Sequence, residues 1–326
     1  MKTFSEYTKS SSRRPINESA ASQYTLFPKD KKELEQMIED EIKIQGNNAD
    51  LNHIDVSKIT DFSKLFKNSE FNGDISKWNV SNTENMSEMF YNSEFAGDIS
   101  EWDVSNVKFM KLMFVKNKSF NQDLSGWDVS NVKDMERMFE HSNFNGDIST
   151  WDVRNVRYMN SMFRFSTFNG NLKRWNTSNV KDMTYMFYGC KEFNQDISRW
   201  NVSNVEKMMG MFAYATSFNQ DISKWDVSKV KNMSSMFWDC ESFNQDLSGW
   251  NVSNVETMSE MFCGCESFNQ NISNWNVSKV WNMSEMFYGC KSFNQDLSGW
   301  NVSNVKYNDS MFDNCPCHTE CQPKFK

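Results

Sequence analysis

FNQDISRWNVSNVEKMMGMF, Phe193 to Phe212, decides the fold. Close copies begin at Phe71, Phe95, Phe120, Phe144, Phe168, Phe218, Phe243, Phe268 and Phe293. Their tryptophans, Trp78, Trp102, Trp127, Trp151, Trp175, Trp200, Trp225, Trp250, Trp275 and Trp300, follow one another at 24 or 25 residues. A degenerate first copy places Ile54 at the tryptophan position, which makes eleven units. A fixed period of this length marks a stacked-repeat architecture, in which each unit buries its apolar face only against its neighbours.

With the tryptophan as position 0, positions −7, −3, 0, +2, +5, +8, +11 and +12 are apolar in nearly every unit. Around Trp225 these are Phe218, Ile222, Trp225, Val227, Val230, Met233, Met236 and Phe237. The first half alternates loosely and carries β-branched and aromatic residues, which predicts an extended segment. In the second half Val230, Met233 and Met236 recur every third residue, which predicts one face of a short α or 3-10 helix. The expected fold class is therefore an α/β solenoid of about eleven rungs, each a short strand plus a short α or 3-10 helix. In the 24-residue copies the missing residue falls between the +12 Phe and the next −7 Phe, where a surface turn absorbs it.

Polar columns repeat as faithfully. Asp occupies −4, with Asn171 and Asn271 as substitutes; Asn occupies −6 and Ser +3. Ser before the expected helix suits an N-cap, and stacked Asn side chains suit turns and a ladder between rungs. Stacked carboxylates about 5 Å apart repel, so each Asp is expected to accept backbone N–H groups or to meet a Lys or Arg. Lys77, Arg174, Arg199 and Lys224, at −1, are the nearest in sequence. One Asp per turn lacks the Gly-rich, Asp-dense pattern of calcium-binding repeats.

Outside the repeats the chain divides simply. Residues 1–24 read as a flexible polar arm and residues 25–50 as an N-terminal helical cap. In the cap, Leu34, Met37, Ile38, Ile42 and Ile44 form a stripe that Asp30 would open and Gly46 and Asn47 close. The repeats occupy 51–314, and 315–326 is a Cys-rich C-terminal cap or tail. Cys190, Cys240, Cys265, Cys290 and Cys315 share position +15, where Ser93, Ser142 and Ser166 also occur, so pairing is not required and reduced thiols are expected. Cys315, Cys317, His318 and Cys321 offer zinc-type ligands at tighter spacing than structural zinc sites use; a disulfide or a packed cap is the alternative.

A formal charge of −8 argues against a general nucleic-acid footprint while leaving room for a local basic patch. No run of 18 apolar residues occurs, so no membrane span is expected. The N-terminus lacks an apolar secretory core, which suggests a cytoplasmic or virion-associated protein. His53, His141 and His318 sit in no recognisable triad, and neither an enzyme nor a cofactor is expected. The variable columns point to recognition instead. Position +13 carries Tyr91, Tyr188, Trp238 and Tyr288, and positions +6 and +7 carry Phe109, Tyr158 and Trp281. Exposed rings of this kind serve as binding anchors or pack over neighbouring loops.

The consensus FNQDISxWxVSxVxxMxxMFxxC resembles the BspA-like repeats, once described as a Mycoplasma domain of unknown function within the leucine-rich-repeat superfamily. The resemblance spans about residues 51–315. It implies a leucine-rich-repeat-like solenoid, with Met186, Phe187 and Cys190 on a helical convex side and Phe193 to Ser198 on a β side. It also implies a role in adhesion, with some members in phage-like genomes; the MKTFSEY opening is similar to short tailed-phage N-termini. Together these readings lead to a non-enzymatic scaffold presenting a repetitive surface to a protein or glycan. The alternative is a structural or decoration component of a virion or other particle, as a homo-oligomer or attached through the N-terminal arm.

Overall fold

The computed structural model describes residues 24–325; the expected polar arm lies, apart from Tyr24, outside the described residues. The strand-plus-helix rung does not form. Among the described residues the helical elements are α1, Lys31–Gln45, and a three-residue 3-10 turn, Thr319–Cys321. Parallel pairing is confined to isolated bridges. Each of the ten junctions between units carries one bridge at position +7, from Asp61↔Asn85 to Asn282↔Tyr307. The pairing thus falls in the half expected to be helical.

Each rung is instead a chain of turns. Apolar residues three apart are the two ends of a turn closed by an N–H of residue i+3 on the carbonyl of residue i. In one rung these bonds run from Trp200 to Ile197 at 3.1 Å, from Val205 to Val202 at 2.9 Å, and from Met211 to Met208 at 3.2 Å. An Asp or Asn stands just before the first two turns of every unit, and before the third at Asp61, Asn85, Asp134, Asp182, Asn232 and Asn282; its Oδ1 accepts the N–H two residues on, as short polar side chains do in Asx turns. The first unit shows all three: Asp50 accepts from Asn52, Asp55 from Ser57 and Asp61 from Ser63, at 2.8 to 3.0 Å. Ser at +3 is therefore not a helix cap; its N–H is held by the +1 side chain, as Ser203 is by Asn201.

The third turn cannot propagate into a helix because positions +10 and +14 are left-handed. Tyr185, Ser235 and Glu260 at +10 have φ of 55 to 57°, and Phe165, Tyr214 and Asp239 at +14 have φ of 51 to 59°. A left-handed residue in every third or fourth place reverses the local curl and turns N–H groups out of the segment. These groups cross to the next unit. The N–H groups of Met208, Gly210, Phe212 and Tyr214 donate to the carbonyls of Asn232, Ser234, Met236 and Trp238. The same four bonds recur at every junction from Phe62→Asn85 to Gly289→Asp313.

Side chains fill the space between the turns and the ladder. The indoles are 2 to 5% exposed, and Trp200 and Trp225 stack in parallel with centroids 6.4 Å apart. Phe187, Phe212 and Phe237 form a second column at 5.8 Å. Each indole also clamps two rungs, since Trp225 Nε1 donates to the Ile197 carbonyl of the rung before, at 3.2 Å.

The ladder is directional, so the two ends differ. The first rung presents carbonyls, and α1 lies over it with Leu34 and Ile38 buried; Lys31 Nζ bonds to Ser63 through its Oγ at 2.7 Å and its carbonyl. Asp30 caps α1 by accepting from Glu33 N at 2.9 Å, and Gly46 follows it with φ of 86°. At the other end the tail folds back, and Leu297 N–H donates to Cys321 O at 2.8 Å.

Candidate functional site

The inward residues of the third turn, +8, +11 and +12, are fixed by the core. The left-handed +10 and +14 residues therefore turn away from that core, and +13 beside them is buried at Val115, Glu140, Ala213 and Cys263 but partly open where it carries a ring. Over five consecutive rungs these positions carry rings: His141, Phe165, Tyr185 with Tyr188, Tyr214 and Trp238. The rings touch in series. His141 lies on Phe165 at 4.7 Å, Phe165 meets Tyr188 edge-on at 5.0 Å, Tyr188 meets Tyr214 at 5.3 Å, and Tyr214 meets Trp238 at 4.8 Å. Tyr185 stands at 89° to Tyr188.

Two glycines make room for this strip. A Cβ on Gly189 would lie 2.5 Å from the Phe165 ring, and one on Gly210 would lie 2.4 Å from the Tyr185 ring. Each ring thus rests on a bare backbone one rung further along.

One cation organises the strip. The Arg164 guanidinium sits 5.0 Å from the Phe165 centroid, 5.2 Å from Tyr188 and 5.7 Å from Tyr185, within cation–π range. Its Nη1 reaches Glu140 Oε1 at 3.0 Å. Glu140 is 1% exposed and also paired with Arg137. A buried carboxylate between two guanidiniums fixes Arg164 from below. Arg164 Nε is buried with no partner among the described residues. Burial holds the His141 pKa below the usual imidazole range and pushes the Tyr188 phenol up. Both shifts favour the neutral form of the ring beside the Arg164 charge.

The seven rings singled out from sequence do not form one surface. Tyr188 and Trp238 belong to the strip. Tyr91 is half-buried, with Lys67 Nζ 4.8 Å over its ring. Tyr288 is exposed and apart from the strip. Phe109 and Tyr158 stand exposed in the +7 bridge column, and Trp281 packs edge-on against Tyr307 at 5.9 Å. Sequence reasoning missed Phe165, Tyr185 and Tyr214: +10 lay in the expected helix, and +14 in the surface turn expected after it. Reading +10, +13 and +14 side by side would have shown rings in five successive units.

The polar columns and thiols have structural partners. Asp221 accepts from Ser223 N at 2.9 Å and Asp246 from Ser248 N at 2.8 Å. Hydrogen bonds from Ser223 hold the Asp221 pKa low, and those from Ser248 do the same for Asp246; repulsion from the carboxylate one rung away is the weakest influence on either. Asp196 is held lower still, first by Lys173 at 2.7 Å, which sits at −2 of the preceding rung and not at −1. The −6 asparagines form the expected ladder, Asn244 N–H donating to Asn219 Oδ1 at 3.0 Å.

All eight cysteines are free. Cys240 and Cys265 Sγ donate to the carbonyls of Phe212 and Phe237 at 2.8 Å, and burial pushes the Cys190 thiol up to about 12. Cys315 Sγ turns to Phe293 O and Cys317 Sγ to Gln295 O. Among the described residues no three His, Cys, Asp or Glu side chains, including Cys315, Cys317, His318 and Cys321, are grouped to hold a metal ion. No described helix is long and apolar enough to cross a membrane.

No curated protein matches the chain. The model of the family described as Mycoplasma protein of unknown function, DUF285, matches residues 32–143, 71–169, 126–222, 159–258 and 242–322, overlapping along nearly the whole repeat region. These matches cover the repeats whose turns are described above, and the chain belongs to the DUF285 family of Mycoplasma proteins of unknown function.

Proposed function

We propose that the protein is a non-enzymatic binding scaffold whose aromatic strip engages a protein or glycan partner. The observation that carries this reading is the strip itself: contiguous rings from five successive rungs, centred on Arg164 and seated on an inter-rung backbone ladder. Rings held in advance lose little conformational freedom on binding, and aromatic and arginine side chains dominate interface energetics. The resemblance of the repeat to BspA-like sequences supports a recognition role over catalysis. His141 supports it too, since its imidazole is stacked on Phe165 as part of the strip.

The test is a glycan array and a pull-down with the intact protein and with Tyr188→Ala, Tyr214→Ala and Trp238→Ala. Loss of the same partner in all three, with unchanged melting temperature, is the expected result. Lower stability without selective loss of binding would assign the rings to packing instead.

A further inference from the structure

The +6 column runs along a different face. Its residues are joined rung to rung by direct backbone bonds, Lys133 N to Lys108 O at 2.9 Å, Arg157 N to Lys133 O at 3.0 Å and Lys181 N to Arg157 O at 3.0 Å. Side chains there stand about 5 Å apart, so like charges in sequence repel, as like charges on facing residues do in any ladder. From Lys181 onward the column avoids this by alternating sign: Lys181, Glu206, Lys231, Glu256. Across Lys108, Lys133, Arg157 and Lys181 it does not. Lys108 is neutralised by Glu84 at 2.7 Å. Among the described residues Lys133, Arg157 and Lys181 make no ion pair.

These three cations line a shallow groove of about 410 Å³ with Asn131, Asn155 and Asn179 of the +4 column. The asparagines are pinned, each Nδ2 donating to a carbonyl of the rung before at 2.7 Å. The groove is therefore a rigid shelf with one free positive charge per rung and an amide beside each.

We infer that this shelf binds a linear acidic glycan, with one sulfate or carboxylate per cation and sugar hydroxyls against the asparagines. The spacing suits a polymer whose charges repeat at about the rung interval. Single-stranded nucleic acid is held by stacking as well as charge, and no ring lines the shelf. The chain's formal charge of −8 opposes long, dense polyanions, whereas screening beyond about 8–10 Å leaves local contacts effective. This surface is separate from the aromatic strip, and neither reading depends on the other.

Titration of the full-length protein with a sulfated, uronate-containing octasaccharide tests the assignment. Arms with a neutral octasaccharide, a dT 12-mer and a poly-glutamate peptide run alongside. Binding of the acidic octasaccharide that weakens with salt is expected. Lys133→Gln, Arg157→Gln and Lys181→Gln should each weaken it by about twofold to fivefold, the range of an exposed ion pair, and the triple variant by more, while Lys133→Arg preserves it. Trp238→Ala should leave it unchanged, which separates failure here from failure of the strip. Equal binding by the folded triple variant, no binding at low salt, or preference for the oligonucleotide or peptide would overturn the proposal.

Discussion

The two halves of each rung join their neighbours in different ways. From −7 to +5 the junction depends on side chains: the −6 Asn ladder, the indole Nε1 on the preceding −3 carbonyl, and the +4 Asn amide on the preceding +3 carbonyl. From +6 to +14 it depends on the backbone, with four N–H groups passed directly to the next rung. The first half is therefore locked in residue type, and its columns repeat almost unchanged. The second half keeps only its inward Met and Phe residues and leaves +6, +10, +13 and +14 free to vary. The aromatic strip and the cations of the shelf lie in this half, where outward side chains are not needed to hold the stack together, while the shelf's +4 asparagines belong to the first half and are held by it.

The largest test of this division is Trp200→Ala. It removes a stacked indole and an inter-rung bond together, and should cost about 3–5 kcal/mol in chemical denaturation, the usual range for a buried aromatic. Gly210→Ala probes the other half, where the ladder survives but the new methyl collides with the Tyr185 ring. It should cost about 1–2 kcal/mol, and Tyr185→Ala in the same chain should recover the part due to the collision in a double-mutant cycle, leaving the part due to the left-handed φ of 58° at position 210. Asn219→Ala deletes the acceptor of Asn244 N–H and Gln245 Nε2 and should cost about 1 kcal/mol, whereas Ser235→Ala, at an outward position, should cost less.

The smallest effect is one of pH. Asp221 and Asp246 have folded-state pKa values below the ordinary carboxylate value of 3.8. Their contribution is complete above that value and is lost as pH falls below it, toward the folded pKa. Melting temperature should therefore be level near neutrality and decline below about pH 4. Asp221→Asn with Asp246→Asn should flatten part of that decline, because Asn171 and Asn271 already open the same turn. A decline of unchanged steepness would remove these carboxylates from the account.

Much of the core was legible in sequence because burial leaves a composition signature: every inward column is apolar in nearly every unit. The local conformation was misread for a physical reason. Spacing of three between Val205, Met208 and Met211 fits a helical face, but it fits equally the two ends of successive turns. What separates the readings is left-handed backbone at +10 and +14. Position +14 did hold a signal, since Asn68, Asn92, His141, Gly189, Asp239, Gly264, Gly289 and Asn314 are residues that tolerate positive φ. Position +10 held none, with Glu88, Leu112, Arg137 and Tyr185 all forced there by the ladder. The strip was half-visible: Tyr188 and Trp238 stood out at +13, while Phe165 and Tyr214 lay in the segment after +12, which reads as a surface turn of variable length.

Amide-resolved hydrogen exchange across Met208 to Tyr214 tests the central claim most directly. Met208, Gly210, Phe212 and Tyr214 donate to the next rung, whereas Met209 N–H meets no acceptor among the described residues. The expected result is slow exchange at those four positions with fast exchange at Met209 between two of them. Uniform protection from Met209 onward, the mark of a helix, would contradict it.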